Sequence, residues 1–381
     1  MNRRAGNQAV TAIVLAAGMS RRMGVPKQLL PSGDKTLVER VLESVGNSSV
    51  GEIVLVLGHA ADQIREQIPG EGIRIIVNKA YQEGMGSSLR VGIGAIGSDT
   101  QAALIVLADQ PFVRSATLDR MIEHYQRFRP QIILPTYRGF RGNPVLLDRS
   151  VFAEVATVRG DIGCRAIFGN HLEEIARLEV DDPGILLDVD TPEDLERLAT
   201  SACLPGVPPT PPAQLEIRTP LREADAQSVQ PELVVVGKDA VGIALVKLAR
   251  LLGFTTTVVD AFLSPGALPE ADRILHVLDF SLLPECGDRS FVVASRGQFD
   301  EEALEQALGS DALYVGLLAN SKRSEELRES LRRKGISSDR LGRMHAPAGI
   351  QIGAQEPGEI ALSILAEVVG ARRRGEQKSE P

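Results

Sequence analysis

Up to about residue 200, short runs that are almost wholly apolar alternate with segments whose apolar residues recur every three or four positions. The short runs are Ala12–Leu15, Ile53–Leu57, Ile73–Val77, Leu104–Leu107 and Ile132–Pro135. Strands without a polar face are buried on both sides, as in a parallel sheet layered between helices. Thr36-Leu-Val-Glu39 reads as a capping box, in which the Thr36 hydroxyl accepts a backbone N–H and Glu39 reaches back. The helix it opens, Leu37–Val45, has apolar residues at 37, 38, 41, 42 and 45. A second start signal places Thr191 as N-cap and Pro192 in the first turn of another helix. The alternation restarts with a strand at Leu233–Val236, a helix at Val241–Leu252 and a strand at Thr255–Val259. Strands at Ile274–Leu278, Phe291–Ala294 and Leu313–Leu318 follow, with helices at Glu301–Leu308, Ser324–Lys334 and Glu356–Val369. The fold class is therefore α/β: two doubly wound, Rossmann-like domains, with ligands at the carboxyl ends of the strands.

Between the two patterns, Ser201–Pro231 loses apolar periodicity and carries Pro205, Pro208, Pro209, Pro211, Pro212, Pro220 and Pro231. Proline at this density favours an extended polyproline II linker. The organisation expected is a first domain over 1–200, a linker over 201–231, a second domain over 232–370 and a charged, disordered tail over 371–381. A length of 381 residues suits two domains. With 4% aromatic residues and no Trp, the cores must rest on Val, Ile, Leu and Ala.

The net charge of -8 argues against a nucleic-acid partner, which needs clustered Lys and Arg. An anionic substrate would have to be met by a few placed cations and a metal. Cys164, Cys203 and Cys286 form no CxxC pair, which fits a reduced compartment without disulfides or structural zinc. No run reaches the roughly 18 apolar residues of a membrane span. The stretch Ala9–Ala17 holds Thr11 and leads into Gly18-Met-Ser-Arg-Arg without a cleavage site, unlike a signal peptide. A cytoplasmic protein is expected.

The first expected strand opens into Leu15-Ala-Ala-Gly-Met-Ser-Arg-Arg-Met-Gly-Val-Pro-Lys27. Small residues at Ala16, Ala17 and Gly18 let the backbone approach a ligand and aim N–H groups at phosphates. Arg22 and Lys27 add positive charge where a triphosphate would lie. The spacing is neither a Walker loop nor GxGxxG, and a glycine turn with solvated basic residues would explain such a loop in isolation. Asp109 ends an apolar strand and projects its carboxylate towards the ligand crevice. A lone aspartate there is more often a turn former, but facing a basic loop it reads as a Mg²⁺ ligand. Asp188 and Asp190, at the end of another strand candidate, share one face of an extended segment and are the natural second ligands. Asp190 also suits the turn before Thr191. Gly84-Met-Gly-Ser-Ser88 reads as a turn into a helix N-terminus, with Ser87 or Ser88 as its cap.

The loop resembles that of the MobA-like nucleotidyltransferases, and within them the molybdenum cofactor cytidylyltransferases. The resemblance spans about Ala12 to Leu198. It is carried further by Val77-Asn78, Glu83-Gly-Met-Gly-Ser-Ser-Leu89, Leu107-Ala-Asp-Gln-Pro111, Arg141-Gly-Asn-Pro-Val145, Gly160-Asp-Ile-Gly-Cys-Arg165 and Leu187-Asp-Val-Asp-Thr-Pro-Glu-Asp194. It implies Lys27, Arg22 and Asp109 as catalytic residues, and Mg²⁺ on Asp109, Asp188 and Asp190. It implies nucleotide contacts at Leu15, Ala16, Ala17, Gly18, Lys27, Asn78, Gly86, Ser87 and Ser88. Arg141 and Asn143 would meet the acceptor, although the family often has His where Asn143 stands. The reaction implied is transfer of CMP from CTP to the molybdenum cofactor, with release of pyrophosphate. Ala17 and Pro26-Lys27 resemble the cytidylyl branch rather than the guanylyl one. A guanylyl- or other NTP transferase, such as a methylerythritol-phosphate cytidylyltransferase-like enzyme, and a non-catalytic molybdenum cofactor carrier or chaperone are the alternatives.

In the second domain, Val234-Val-Val-Gly-Lys-Asp-Ala-Val-Gly242 occupies the place of a dinucleotide fingerprint, with Asp260 ending the next strand. Asp239 replaces the second glycine and would repel a pyrophosphate, which argues against NAD. With Ala294-Ser-Arg-Gly297, Tyr314-Val-Gly-Leu317, the charged helix Lys322–Lys334 and His345–Ala354, this region resembles the C-terminal portion of XdhC-type maturation factors. A cofactor-handling role is implied, with a molybdenum hydroxylase apoenzyme as partner. Gln298 stands where the family often has His, and the family's cysteine-bearing N-terminal portion has no counterpart, which counts against sulfuration or insertion chemistry. His345 lines a ligand crevice or is a buried structural residue.

Overall fold

The computed structural model of the chain describes residues 7–20, 25–68, 72–161, 163–189, 194, 214–218, 230–263, 267–295, 297 and 299–379. The chain divides into two compact units, Met1–Tyr137 with Arg141–Thr210, and Arg138–Phe140 with Pro211–Pro381.

In the first unit the main elements are β1 (Asn7–Ala16), α1 (Leu37–Gly46), β2 (Val50–Leu57), α2 (Ala61–Gln67), β3 (Ile73–Val77), α3 (Met85–Ala95), β4 (Ala102–Leu107), α4 (Ser115–Phe128), β5 (Ile132–Tyr137), β6 (Val145–Asp148) and β7 (Ile175–Glu179). Strand order is β7-β5-β6-β4-β1-β2-β3. The β1–β2, β1–β4, β2–β3 and β5–β7 pairs are parallel, whereas β6 runs antiparallel to both β4 and β5. The sheet is thus mixed. The hydrophobic pattern did not reveal β6, because an apolar run carries no direction.

Successive residues of β1 face opposite layers, which is why its stretch Ala12–Ala16 is wholly apolar. Val14 packs with Leu55 and Leu104 beneath Val41 of α1 and Met121 of α4. Ile13 packs with Val54 and Ile105 against Leu89 and Ile93 of α3. The capping box at α1 forms: Thr36 accepts from the Glu39 N–H, and the Glu39 carboxylate accepts from the Thr36 N–H at 2.7 Å. Replacing Thr36 by Ala should destabilise the chain by about 1 kcal/mol in denaturant melts, the usual worth of an N-cap. The helix expected at Thr191 lies outside the described residues.

The second unit contains β8 (Leu215–Ile217), β9 (Glu232–Val236), α5 (Ala240–Leu251), β10 (Thr255–Val259), β11 (Arg273–Leu275), β12 (Arg289–Val293), α6 (Asp300–Gly309), β13 (Tyr314–Leu317), α7 (Ser321–Arg333), β14 (Met344–His345) and α8 (Pro357–Ser379). Strand order is β8-β11-β10-β9-β12-β13-β14, and every pair but β8–β11 is parallel. Without β8 this is the doubly wound order of a Rossmann sheet. Leu233 and Val235 pack beneath Leu245 of α5 and Ile364 and Leu365 of α8.

Two expectations are corrected here. Leu215–Ile217, assigned to the proline-rich linker, forms the edge strand β8 on β11, since Leu215-Glu-Ile217 is free of proline and can pair through its backbone. The segment from Ala371, expected as a disordered tail, continues α8 to Ser379, its Arg-, Lys- and Glu-rich sequence being compatible with helix.

Candidate active site

The chain winds from β1 through β2 to β3 on one side and returns to begin β4 on the other. The carboxyl ends of β1 and β4 therefore flank the point where the winding reverses, where open α/β sheets form their ligand crevice. A cavity of about 370 Å³ opens there. Its lining takes Leu15, Ala17, Gly18, Met19, Ser20, Lys27 and Gln28 from β1 and the following loop, and Leu107, Ala108 and Asp109 from the end of β4. Tyr81, Gln82, Gly84, Met85 and Ser88 come from the approach to α3 and its first turns, and Asp161 completes the wall.

The loop after β1 is folded back on itself. Ser20 takes a left-handed backbone, with φ of 48°, and its hydroxyl accepts the Lys27 N–H at 2.9 Å. Gln28 is 2% exposed and donates from Nε2 to the carbonyls of Ala16 (3.3 Å) and Gly18 (3.4 Å), fastening the loop to β1. Held in this way, Lys27 brings its ammonium to 2.6 Å from Oδ2 of Asp109. The other oxygen of Asp109, Oδ1, is buried with no hydrogen-bond partner among the described residues. A buried carboxylate oxygen without a donor is unfavourable, and a hard cation would satisfy it.

Asp188 reaches the same strand end. Its Oδ1 accepts from Nε2 of Gln110 at 2.6 Å, and the N–H of the next residue, Val189, donates to the Asp109 carbonyl at 2.8 Å. The strand expected to end at Asp188 and Asp190 is not formed. Buried Asp182 accepts from the N–H groups of Gly184 and Arg114 and from the Thr117 hydroxyl, and this turns Pro183–Leu186 into a short 3-10 helix. Magnesium commonly takes one or two carboxylates plus phosphate oxygens, so the unmatched Asp109 oxygen on the cavity wall suits it. No group of three or more His, Cys, Asp or Glu among the described residues would hold a metal without such help. Arg22 and Asp190 lie outside the described residues.

On the opposite wall, Gly84 precedes α3 with φ of +100°, and a Cβ there would lie 2.6 Å from Oδ1 of Asp161. Asp161 Oδ1 accepts the Met85 N–H at 2.9 Å, and the Gly160 carbonyl accepts the Gly86 N–H at 2.8 Å. The cap expected from Ser87 or Ser88 is therefore supplied by Asp161, because α3 begins ahead of both serines. Asn78 donates from Nδ2 to the hydroxyls of Ser87 (2.8 Å) and Ser88 (3.0 Å), tying the end of β3 to α3.

Of the sequence-predicted residues, Leu15, Ala17, Gly18, Lys27, Ser88 and Asp109 lie on the cavity wall, while Ala16, Asn78, Gly86, Ser87 and Asp188 are not part of it. Arg141 and Asn143 are not brought to it. The Arg141 guanidinium lies 5.4 Å from the Phe168 ring centroid, and the Asn143 N–H donates to the Ile185 carbonyl. Gln28, Gln110 and Asp161 were missed as site residues. Gln110 and Asp161 sit inside singled-out motifs and Gln28 directly follows one, but only burial and pairing in three dimensions set them apart from their neighbours.

In the second unit, Gly237 occupies the corresponding reversal between β9 and β12. Its φ is +101°, and a Cβ would lie 2.5 Å from the Ala294 carbonyl oxygen, so the two backbones cross closely. Asp239 caps α5 by accepting the Gly242 N–H at 2.8 Å, and Lys238 pairs with Asp260 at 2.8 Å. The helix end that would receive a pyrophosphate carries a carboxylate instead. Gln298 lies outside the described residues.

His345 is not buried: its side chain is 30% exposed, and Nδ1 lies 2.8 Å from Oε1 of Glu367. Glu367 also accepts from the Tyr314 hydroxyl and the Gly349 N–H, each at 2.7 Å. Burial raises the Glu367 pKa, but the hydrogen bonds from Tyr314, Gly349 and His345 outweigh it and hold the carboxyl below its ordinary 4.5. A depressed carboxyl stabilises the fold above its unfolded pKa and loses that contribution as pH falls through the folded value. Glu367→Gln should therefore flatten the decline in melting temperature below about pH 4.5; an unchanged slope would refute this assignment.

Among the described residues Cys164 and Cys286 are free thiols, and burial pushes the Cys164 thiol up to about 12, which leaves it unreactive. No described helix is long and apolar enough to cross a membrane.

Residues 12–175 match the MobA-like NTP transferase domain, and residues 233–368 match the XdhC Rossmann domain. Nicotine blue oxidoreductase of Paenarthrobacter nicotinovorans is 33% identical over 198 residues, covering 50% of this chain and 96% of that protein. Molybdenum cofactor cytidylyltransferase of Escherichia coli (strain K12) is 26% identical over 189 residues, 49% of this chain and 93% of that protein. Protein YqeB of the same organism is 35% identical over 147 residues, 37% of this chain, and the match spans only 27% of YqeB. With its β1 loop and Asp109 meeting at the reversal of the first sheet, the chain belongs to the MobA-like NTP transferase family and carries an XdhC Rossmann domain after it.

Proposed function

We propose that the first unit transfers CMP from CTP to the molybdenum cofactor, releasing pyrophosphate, and that the second unit handles the product for a molybdenum hydroxylase. The observation that carries this reading is the Lys27–Asp109 pair in the cavity, with one buried Asp109 oxygen left unmatched. The terminal phosphate oxygen of the acceptor attacks the α-phosphorus of CTP, and the bond from that phosphorus to the pyrophosphate oxygen breaks in line. Such transfers depend on positioning and charge neutralisation rather than on a protein nucleophile. The loop Leu15–Gly18 approaches the triphosphate with its backbone, and Lys27 and Arg22 balance its charge. Asp109, joined by Asp188, would hold Mg²⁺, which would supply positive charge to offset that developing on the phosphates. Ala17 and Pro26-Lys27 favour cytosine over guanine by resemblance.

The test is pyrophosphate release from CTP, GTP and ATP with Mg²⁺ and purified molybdenum cofactor. CTP-selective turnover supports the proposal, a GTP preference overturns the choice of base, and silence with all three favours a carrier. A second reading rests on nicotine blue oxidoreductase, which has the higher identity of the two relatives matched over nearly their full length. In it the same cavity takes a redox dinucleotide. Oxidation of NADH or NADPH without any nucleotidyl transfer would favour that reading.

A further inference from the structure

We propose that Asp161 reads the base of the donor nucleotide: its carboxylate accepts from an exocyclic amino group and thereby selects cytosine over uracil. This deepens the reading of the cavity as the donor-nucleotide site and rests on it.

The two walls of the cavity differ in what they offer an anion. On the β1 side stands the ammonium of Lys27. On the α3 side the backbone donors of the first turn are already taken. The Met85 N–H donates to Oδ1 of Asp161 at 2.9 Å, the Gly86 N–H to the Gly160 carbonyl at 2.8 Å, and the Ser87 N–H to the Gly84 carbonyl at 3.1 Å. A helix N-terminus ordinarily attracts phosphate, but this one carries a carboxylate and has no such donor to give. A triphosphate is therefore drawn to the Lys27 wall and repelled from the α3 wall, which leaves the base to face Asp161.

The α3 wall suits a base. Asp161 lines the cavity, and its second oxygen, Oδ2, has no hydrogen-bond partner among the described residues. Met85, also on the wall, is 40% exposed and lies across Gly163, where a Cβ would come 2.8 Å from its sulfur. The Tyr81 side chain lines the same side. A polarizable thioether and an aromatic ring are good partners for a flat heterocycle. A charged cap in a cavity for a polyanion weakens binding unless the charge meets a donor on the ligand. An ionised carboxylate only accepts. Cytosine presents the N4 amino group as a donor, whereas uracil presents the O4 oxygen at the same place. The first is bonded and the second repelled.

The experiment titrates the full chain with CTP, UTP and the triphosphate of 2-pyrimidinone riboside by calorimetry, with Mg²⁺ and without acceptor, alongside thermal melts. The 2-pyrimidinone nucleotide carries hydrogen in place of the amino group. The wild type should bind CTP about tenfold to a hundredfold more tightly than this analogue, the range for one hydrogen bond to a charged group, and UTP more weakly still. Asp161→Asn keeps an oxygen for the Met85 N–H, which turns the amide NH₂ towards the base. Its melting temperature should stay near that of the wild type, with CTP weakened and UTP tightened. Equal binding of CTP and the 2-pyrimidinone nucleotide by the wild type would overturn the inference, and this comparison needs no variant to fold. So would an unchanged CTP-to-UTP ratio in Asp161→Asn, whether both nucleotides weaken, as for a mere helix cap, or both tighten, as for mere repulsion of phosphate. Absence of binding of every nucleotide by the wild type would instead overturn the reading of the cavity itself.

Discussion

Asp109→Ala should lower pyrophosphate release from CTP by about three orders of magnitude, roughly 4 kcal/mol of transition-state stabilisation, while leaving the melting temperature unchanged or slightly raised. Two arguments set the sizes. The Asp109 carboxylate meets Lys27, while the contact with the Asp188 segment runs through the Asp109 backbone carbonyl and survives truncation, so Asp109→Ala removes the charge aligned with Lys27 and leaves the segment in place. Loss of a single preorganised electrostatic group costs about 10²–10³ in rate, and here a metal ligand is lost with it. Stability moves the other way because Oδ1 is buried without a donor, so truncation removes an unsatisfied group. The ion pair itself is partly exposed, at 15% for the Lys27 side chain and 24% for Asp109, and contributes little to folding. Lys27→Ala should show a comparable loss of rate. Measuring kcat and melting temperature on the same preparations decides the matter: normal turnover by either variant would overturn the assignment.

The elements most legible in the sequence were those whose physics is local. Thr255–Val259 and Ile73–Val77 appear with the expected ends, because a run dominated by β-branched residues between turn formers has few other options. The α1 capping box is local in the same sense. The loop after β1 was legible because its chemistry is concentrated in one stretch. What stayed hidden depends on partners distant along the chain. Gln28 looks like an ordinary polar residue until its amide is seen to fasten two carbonyls of the loop. Asp161 caps α3 from far downstream, so the adjacent serines were the natural but mistaken candidates. Asp188 was named for its charge, yet the segment arrives as a turn and not as a strand. Arg141 and Asn143 were carried by resemblance alone, and neither lies on the cavity wall.

Glu232 shows the same limit in the second unit, where it supports the largest stability effect. The apolar pattern begins the strand at Leu233, since a carboxylate has no place in a buried strand unless it is paired. In the structure Glu232 is part of β9 and is 1% exposed. Its Oε1 accepts from Arg273 at 2.9 Å and from the Thr257 hydroxyl at 2.7 Å, and its Oε2 accepts from Arg289 at 2.6 Å. Arg273, on β11, is itself 5% exposed. Glu232→Ala would leave two guanidinium groups facing each other across the base of the sheet with no counter-charge. Breaking a buried pair from one side costs about 3–5 kcal/mol, whereas replacing all its charges by apolar groups of similar volume is often neutral. The expected result is therefore asymmetric: Glu232→Ala should be strongly destabilising, and Glu232→Leu combined with Arg273→Met and Arg289→Met should recover most of the loss. Hydrogen exchange at the amides of β9, β10 and β12 reports on this sheet directly, so it can be read in the full chain. Protection reduced by less than about tenfold in Glu232→Ala, or no recovery in the triple variant, would show that the cluster contributes through geometry rather than through the balance of buried charge.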